Sequence, residues 1–410
     1  MTELHNDTST HAKATLSQWE FVALMAMLTS LVALTIDAML PALNQMGNDL
    51  NSTGPQQNHL VVSLFFIGMA FGQMLFGPLA DARGRRAAII IGLMIFWVGT
   101  LVCMSAKDMH IMLIGRFIQA IGLSGPRIAA LAMIRDIYVG DAMAKIMSFI
   151  MIVFILVPMA APIIGQWIMQ VWSWWSIFVF FLVMSGVAAL WFFSRQPETL
   201  HRSVRRPFSW SSFGESALFI LTHRQVMPHI IAMGCIFGGF LAYLSASQTI
   251  FQEMYDTGDW FPYIFATLAF SIGCASLLNS QLVERLGMFK LCHIALIGHI
   301  VISCVLIGVV FMSEGLPVLG LWIALLFVDF FFVGILFGNM NAVAMLPLGH
   351  VAGVGAAFIG SLSSVVAVPL AVFIDSFLDA SLMPIAVGFW VTAMASFGLF
   401  RLALIKTTKG

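Results

Sequence analysis

Charge is scarce in this chain of 410 residues. Only 9% of its residues are Asp, Glu, Lys or Arg, whereas soluble domains carry about 25%. Hydrophobic residues make up 60%. Because so few charges cannot cover that much apolar surface in water, the composition excludes a soluble globular protein. The formal net charge is zero and no basic domain stands out, so nothing predicts a nucleic-acid partner.

Motifs of enzymes and of ATP-driven pumps are also missing. The chain contains no GxxxxGK[ST] loop, no HExxH pair and no GxSxG elbow. Its five cysteines form no CxxC pair and lie inside apolar runs. This pattern predicts buried small side chains, with neither disulfides nor a metal site. We therefore expect no enzyme, no primary pump, no metal and no bound cofactor.

Long apolar runs occupy most of the chain. A helix needs about 20 apolar residues to cross a bilayer, and runs of that kind recur twelve times. The predicted fold class is an all-α membrane protein with twelve transmembrane helices. The runs are 19–43, 58–80, 87–106, 110–134, 143–168, 174–194, 226–251, 261–283, 288–312, 317–343, 350–374 and 382–404.

One long basic connection, 195–225, divides these runs into six and six. We predict a cytoplasmic linker there, between six-helix bundles at 19–194 and 226–404. Sixteen of the nineteen Lys and Arg residues lie at the termini or near the connections after even-numbered runs. Because positive charge is retained in the cytoplasm, both termini are predicted to be cytoplasmic, as tails at 1–18 and 405–410.

The two halves contain a weak internal repeat. LADARGRR (79–86) follows the second run and LVERLGMF (282–289) follows the eighth, at an offset of 203 residues. In this alignment Asp81 corresponds to Glu284, and Gly84 corresponds to Gly287. Parallel repeats of six helices build one major transporter architecture, so the repeat favours a transporter.

The stretch GPLADARGRR (77–86) resembles the loop signature of the major facilitator superfamily. Gly77 lets helices approach closely, Asp81 can pair with arginines, and Gly84 permits a tight turn. The resemblance implies the major facilitator fold and a conformational latch in this stretch. The alternative is that positive charge alone anchors the topology. The predicted latch comprises Gly77, Asp81, Arg83, Gly84, Arg85 and Arg86.

Two further stretches resemble motifs of the drug–proton antiporters within that superfamily. RFIQAIG (116–122) resembles the motif of the fourth span, and APIIGQW (161–167) resembles the antiporter motif of the fifth. Ala120 and Gln166 stand where glycine is usual. The matching residues are Arg116, Gln119, Pro162 and Gly165.

Several stretches are similar to the bicyclomycin/chloramphenicol-resistance (Bcr/CflA-like) branch. They are LTIDAMLPAL (34–43), AMIRDIY (132–138), PETL (197–200), FLAYLSAS (240–247) and the region 341–362. The resemblance implies a monomer in the bacterial inner membrane that exports drug-like small molecules by alternating access. The proton is then the coupling ion, and the implied partners are the substrate, protons and the lipid bilayer.

Ionisable residues inside a membrane are rare and mark function by default. Asp37 lies near the end of the first apolar run, and Arg116 lies in the fourth at a similar predicted depth. The two opposite charges can therefore offset each other's burial. Together with the resemblance, this predicts proton coupling at Asp37. The alternative is a permanent structural ion pair.

Asp329 lies near the middle of the tenth apolar run, which contains no basic residue. It is either a second proton site or a carboxyl group that is hydrogen-bonded to a partner on another helix. His299, in the middle of the ninth run, suits a proton relay because histidine titrates near neutrality. The alternative for His299 is hydrogen-bonded packing.

Arg127 lies eleven residues after Arg116. Eleven residues return to nearly the same helix face, about 16 Å along the axis. Arg127 is therefore either part of an anion site or a snorkelling arginine that reaches the headgroups. Two cations on one face favour an alternative function, the export of an endogenous anionic metabolite such as a carboxylate siderophore. A membrane sensor or scaffold that transports nothing is a third hypothesis.

Methionine and aromatic side chains tolerate varied apolar guests, so some of them are predicted to contact the substrate. The chain contains 36 Phe, 27 Met and 11 Trp. The predicted substrate contacts are Met39, Tyr243, Gln248 and Phe251.

Overall fold

The structure is a computed structural model that describes residues 16–138, 140–205 and 210–407. It consists of helices and their connections, without a strand in those ranges. Most of the predicted tail 1–18 and the end of the tail 405–410 lie outside the described residues. The long helices are α1 (Gln18–Asp37), α2 (Pro55–Arg83), α3 (Arg85–Met104), α4 (Met109–Ile137), α5 (Gly140–Val171), α6 (Trp175–Arg195), α7 (Val226–Gln248), α8 (Phe261–Leu286), α9 (Met288–Met312), α10 (Leu319–Met345), α11 (Ala352–Asp375) and α12 (Met383–Thr407).

Eleven of the described helical segments are long and apolar enough to cross a membrane. The remaining long helix, α5, contributes the shorter apolar segment Leu156–Val171. The predicted class of an all-α membrane protein is thereby confirmed. The helix bounds follow the apolar runs, with polar extensions where a helix continues beyond the apolar residues.

The first apolar run does not form one continuous α-helix. Helix α1 ends at Asp37, and the chain then passes through a 3₁₀ turn, Leu40–Ala42, into a short helix, Leu43–Asp49. Pro41 lies in that turn, and proline cannot donate the hydrogen bond that a continuing α-helix needs. The break leaves Asp37 at a helix end, beside the middle of the bundle.

The predicted repeat is confirmed at its two glycines. Gly84 is the single residue between α2 and α3, with a φ of 100°, and Gly287 is the single residue between α8 and α9, with a φ of 75°. Both values lie in the left-handed region, which glycine adopts without a steric penalty. Each half of the chain therefore makes the same one-residue turn at the same place in its helix order.

Close helix packing holds each half together. A Cβ atom at Gly68 in α2 would overlap the carbonyl oxygen of Phe117 in α4. A Cβ atom at Gly92 in α3 would likewise overlap the carbonyl oxygen of Gly122. Glycines at these contacts let the helix backbones approach one another directly. Between the halves, α2 packs against α11 and α5 packs against α8.

The connection from α6 to α7 contains a helix of its own, Trp210–Thr222. This helix contacts α7 and α11. Its Ile220 is fully buried in a cluster with Ile230 and Ile359. Part of the predicted linker is therefore packed against the C-terminal half.

The helices alternate in direction, so the bundle has two distinct ends. We call the end that carries Arg83, Arg135 and Arg195 the basic face. The opposite end, which carries Asp256 and Glu314, is the acidic face.

Candidate functional site

A cavity of about 930 Å³ lies between the two halves. Its wall includes Asp81 and Asp136 at the basic face, and it extends inward to Asp37 and Tyr243. Volumes of this size accommodate drug-sized molecules. The residues beyond Asp37 toward the acidic face, among them Leu40 and Leu43, are fully buried. The cavity therefore opens toward the basic face and is closed toward the acidic face.

One contact between α1 and α4 near the basic face serves as the origin from which the depth of the charged residues inside the bundle is counted. The rings of Phe21 and Tyr138 lie 5.5 Å apart near the basic face. Asp37 is sixteen residues from Phe21, and its depth is about 24 Å at the α-helical rise. Arg127 and Arg116 are eleven and twenty-two residues from Tyr138, or about 16 Å and 33 Å deep. Asp37 therefore lies between the two arginines in depth.

Asp37 lines the cavity and is only 5% exposed. Its carboxyl group makes no hydrogen bond or ion pair with any residue in the described ranges. The predicted pairing with Arg116 is corrected, because the Arg116 guanidinium bonds to Val61 and Gln119 instead and does not line the cavity. A carboxyl group that faces a cavity without a fixed partner is available to a proton or to a cationic ligand.

Arg116 is fully buried away from the cavity. Its Nε donates to the carbonyl oxygen of Val61 at 3.3 Å, and its Nη1 donates to Oε1 of Gln119 at 2.9 Å. The guanidinium lies 4.4 Å from the centre of the Phe65 ring. Gln119 in turn donates to Oγ1 of Thr100 at 2.8 Å. These contacts join α2, α3 and α4, so the arrangement is a packing element of the N-terminal half.

Arg127 does line the cavity. Within the described ranges, no hydrogen bond or ion pair involves its side chain. Of the two readings that the sequence left open, the cavity position is the one observed. The predicted stacking of Arg116 and Arg127 in one anion site is corrected, because only Arg127 faces the cavity. Pro126, inside α4, precedes Arg127 directly.

Aromatic residues of the C-terminal half line the same cavity as Asp37. The Tyr243 and Phe330 rings lie 4.7 Å apart, and the Phe240 and Phe330 rings 5.4 Å apart, in edge-to-face contacts. All three residues line the cavity. The Tyr243 hydroxyl is buried and has no hydrogen-bond partner among the described residues. The predicted substrate contact at Tyr243 is therefore consistent with its position.

The other three predicted substrate contacts do not line the cavity. Met39, Gln248 and Phe251 are each no more than 2% exposed. They belong to the buried layer that closes the cavity toward the acidic face. Sequence reasoning missed this layer because it depends on how α1 and α7 continue beyond their α-helical ends. Helix α7 continues as a π turn, Thr249–Met254.

Asp329 and His299 form one buried pair. The His299 Nδ1 lies 2.6 Å from Oδ1 of Asp329, and both side chains are almost completely buried. This contact supplies the partner on another helix that the sequence required for Asp329. Neither residue lines the cavity. The structure thus joins two candidates that were separate in the sequence.

The predicted latch residues lie at the basic face. Arg85 pairs with Asp81, and its Nε lies 3.1 Å from Oδ2 of Asp136. Gly77 lines the cavity. Arg83 is exposed, with no hydrogen bond or ion pair to the described part of the chain.

A carboxylate from beyond α6 completes this cluster. Oε1 and Oε2 of Glu198 accept hydrogen bonds from the backbone N–H groups of Arg85 at 3.0 Å and Arg86 at 3.1 Å. Thr199 donates to Asp136 at 2.8 Å. Sequence reasoning noticed the stretches AMIRDIY and PETL but assigned no role to Asp136 or Glu198. Both residues lie in charged stretches at helix ends, and that position is the sequence feature that could have indicated a role for them.

Helix α5 supports the back of the Asp37 site. A Cβ atom at Gly165 would overlap the carbonyl oxygen of Ala38, so α5 contacts the backbone directly after Asp37. Pro162 lies inside α5 and is buried. Gln166, which replaces a glycine of the antiporter motif, donates to Asp259 at 2.6 Å. That bond joins the two halves at the acidic face.

A second set of hydrogen bonds joins α2 to the C-terminal half near the acidic face. The His59 Nδ1 lies 2.7 Å and 2.9 Å from the two carboxylate oxygens of Asp375, and its Nε2 lies 3.0 Å from Oγ1 of Thr249. The hydroxyl groups of Ser63 and Ser245 lie 3.3 Å apart. We call His59, Asp375 and Thr249 the acidic-face closure. Sequence reasoning missed all three residues.

Comparisons with known proteins agree with this architecture. The family model of the Major Facilitator Superfamily matches residues 24–372. The Bicyclomycin resistance protein homolog of Haemophilus influenzae is 30% identical over 349 residues, which is 84% of this chain and 86% of that protein. Multidrug resistance protein MdtL of Salmonella heidelberg is 28% identical over 259 residues, or 62% and 63% of the two chains.

Solved structures show the same fold at low sequence identity. A peptide transporter POT in complex with sulfate aligns with a TM-score of 0.75 at 10% identity, over 97% of each chain. A D-xylose-proton symporter aligns with a TM-score of 0.71 at 13% identity, over 94% of this chain and 97% of that one.

Proposed function

The chain belongs to the Major Facilitator Superfamily, and we propose that it exports small drug-like molecules across the bacterial inner membrane in exchange for protons. It is a multi-pass membrane protein with transporter relatives, and it is not an enzyme. The bicyclomycin-resistance and multidrug-resistance relatives support drug efflux. In this proposal the protein works as a monomer in the bilayer, and the proton is its coupling ion without a further cofactor.

The observation that carries the proposal is the carboxyl group of Asp37 in the cavity wall, which has no partner among the residues that the structure describes. One carboxyl group cannot be protonated and bind a cationic ligand at the same time. Protonation of Asp37 from the outside therefore favours substrate release, and loss of the proton inside prepares the site for the next substrate. This competition couples the two fluxes.

The proposed orientation has the basic face in the cytoplasm, in accordance with the distribution of Lys and Arg. The cavity then opens to the cytoplasm in this structure, and the acidic-face closure seals it from the periplasm. Export requires the two halves to rock around the cavity, so that the closure opens while the basic-face cluster around Arg85 closes. The contacts of each face would then be made in only one of the two states.

A second candidate, the export of an anionic metabolite, is favoured by one observation. Arg127 presents to the cavity a guanidinium that pairs with no residue in the described part of the chain. An anionic substrate would compensate that charge and would leave Asp37 for the proton alone. Arg116 cannot contribute, because it is fully buried and does not line the cavity.

Proton movement in everted membrane vesicles tests the proposal. A pH-sensitive dye reports the efflux of protons when cationic, neutral or polycarboxylate compounds are added. We expect cationic and neutral drugs to trigger efflux in the natural protein and Asp37→Asn to abolish it. The matched control is Asp379→Asn, which removes an exposed carboxyl group from the acidic face and should leave the response intact.

Two results would change the assignment. Efflux triggered only by polycarboxylates, and lost in Arg127→Gln, would favour the anionic metabolite. A full response to drugs in Asp37→Asn would remove Asp37 from proton coupling.

A further inference from the structure

We propose that the cavity selects amphoteric aromatic molecules, whose cationic group binds Asp37 and whose anionic group binds Arg127. The inference names a substrate class for the proposed export function and rests on it. In the two export hypotheses above, a cation site at Asp37 and an anion site at Arg127 are alternatives. The structure brings both into one cavity, so that a single ligand can satisfy them together.

The charges of the cavity wall differ in what they already bind. Asp81, Arg85 and Asp136 pair with one another at the basic face. Arg135 is exposed at the same face, beside the mouth of the cavity. Deeper inside, the described lining contains one carboxylate and one guanidinium, and both lack a partner there.

A ligand with a single charge leaves one of these groups uncompensated. When the ligand fills the cavity it displaces water from both groups, and a desolvated charge without a partner is costly. A cationic ligand would satisfy Asp37 but would desolvate Arg127 without compensation. An anionic ligand would satisfy Arg127 but would desolvate Asp37 without compensation. A ligand with both charges avoids the penalty at both ends.

The two groups do not form an ion pair with each other in the described structure, and their backbone positions differ in depth. Asp37 lies about 24 Å and Arg127 about 16 Å from the contact between Phe21 and Tyr138, a difference of about 8 Å. An ion pair needs a separation of no more than about 4 Å. Because neither charge compensates the other, a ligand that contacts both groups is expected to carry its two charges on a spacer rather than on one carbon atom, and the backbone depths suggest a length on the order of 8 Å.

The region beside Asp37 suits an aromatic spacer. Hydrogen bonds fix the register of α4 with α2 and of α2 with α7. Counted through these contacts at the α-helical rise, the depth of Tyr243 lies within about one helical turn of the depth of Asp37. The buried Tyr243 hydroxyl has no partner among the described residues, so it can accept a second hydrogen bond from an ammonium group at Asp37. The edges of Phe240 and Phe330 complete an apolar surface for a ring.

Four small compounds test the inference. The probe is 4-(2-aminoethyl)benzoic acid, a zwitterion whose charges lie about 8 Å apart across a benzene ring. Its methyl ester keeps only the cation, and its N-acetyl derivative keeps only the anion. Phenylalanine is an isomer of the probe with both charges on one carbon atom. Binding to the purified full chain in lipid nanodiscs is measured by saturation-transfer NMR, which detects weak ligands.

We expect the zwitterion to bind about tenfold or more tightly than the other three compounds, since each of them leaves one of the two charges of the site without a charge-assisted hydrogen bond. Arg127→Gln should weaken the zwitterion and the N-acetyl derivative but should bind the ester at least as tightly as the natural protein does, because the uncompensated charge is gone. Asp37→Asn should weaken the zwitterion and the ester but should bind the N-acetyl derivative at least as tightly. The compound that keeps its affinity in each variant also demonstrates that the variant is folded. Arg127→Lys should restore part of the affinity.

Equal binding of the zwitterion and the ester, or of the zwitterion and phenylalanine, would overturn the inference. So would a loss of affinity for all compounds alike in Arg127→Gln. Proton efflux triggered by drugs, with no advantage for the zwitterion, would overturn the two-charge site and leave the export function intact. Binding of the zwitterion with the expected dependence on both variants, but without proton movement for any compound, would overturn proton-coupled export instead.

Discussion

The acidic-face closure predicts how a single substitution shifts the transporter between its two states. His59 contacts both carboxylate oxygens of Asp375, and its other ring nitrogen contacts Thr249. Because a carboxylate only accepts hydrogen bonds, the Nδ1 of His59 donates to it. When the halves separate at this face, all three groups meet water. Their contacts therefore stabilise only the closed state, and His59→Ala should favour opening.

The size of the shift follows from the burial of the pair. The side chains of His59 and Asp375 are 2% and 7% exposed. A hydrogen bond to a charged group contributes about 1.5–3 kcal/mol, and the substitution also leaves the buried Asp375 without its partner. A loss of about 2–3 kcal/mol from the closed state raises the population of the open state about 30- to 150-fold.

Labelling with a membrane-impermeant thiol reagent measures this population. Ser245→Cys, in a chain whose five natural cysteines are replaced, introduces a thiol that is buried beside the closure. Its labelling from the periplasmic side should become about 30- to 150-fold faster in His59→Ala. His110→Ala removes an exposed histidine from the same face and should leave the rate unchanged. An unchanged rate in His59→Ala would refute the reasoning.

Three further substitutions probe other parts of the molecule. Gly165→Ala forces a Cβ atom against the Ala38 carbonyl and should lower the free energy of unfolding by about 1–3 kcal/mol. The loss is measured as a lower melting temperature in detergent. Gly186→Ala is the control, because a Cβ atom there lies in open space and should change the melting temperature little. Arg116→Gln should lower the melting temperature, because it breaks the contacts between α2 and α4, without changing which compounds bind. Asp136→Asn weakens the contact of a partly buried carboxylate with Arg85 and should slow transport while ligand binding in the cavity persists. Weakened binding would contradict this.

The sequence predicted the fold well because the bilayer imposes one simple requirement on each helix. Every spanning segment must be apolar for about 20 residues, and that pattern is visible without any knowledge of contacts. The one-residue turns at Gly84 and Gly287 were predictable for a similar reason, since only the local backbone conformation demands glycine there.

The site was predictable only where a residue is unusual on its own. Asp37 and Arg127 were found because a charge inside an apolar run is rare. The pairing of Asp37 with Arg116 was wrong because depth was counted from the ends of the apolar runs, and the first run continues past Asp37 through Pro41 into another helix.

The acidic-face closure was invisible for a different reason. His59 and Asp375 lie near helix ends, where polar residues are common, and 316 positions separate them in the sequence. Only the packing of α2 against α11 brings them together. Met39, Gln248 and Phe251 were misplaced because composition cannot distinguish a cavity wall from the buried layer behind it.

The hydrogen bonds from the start of α3 to Glu198 fix the point at which the free connection between the two halves begins. The same carboxylate also accepts from the backbone N–H groups of Thr199 and Leu200, so the chain stays bound to the N-terminal half up to that point. The helix that begins at Trp210 packs against α7 and α11 of the C-terminal half. The connection between the two attachments is thus the stretch from Leu200 to Trp210, which spans ten Cα–Cα steps. Its contour length of about 35 Å is an upper limit on how far these two points can separate while both attachments hold.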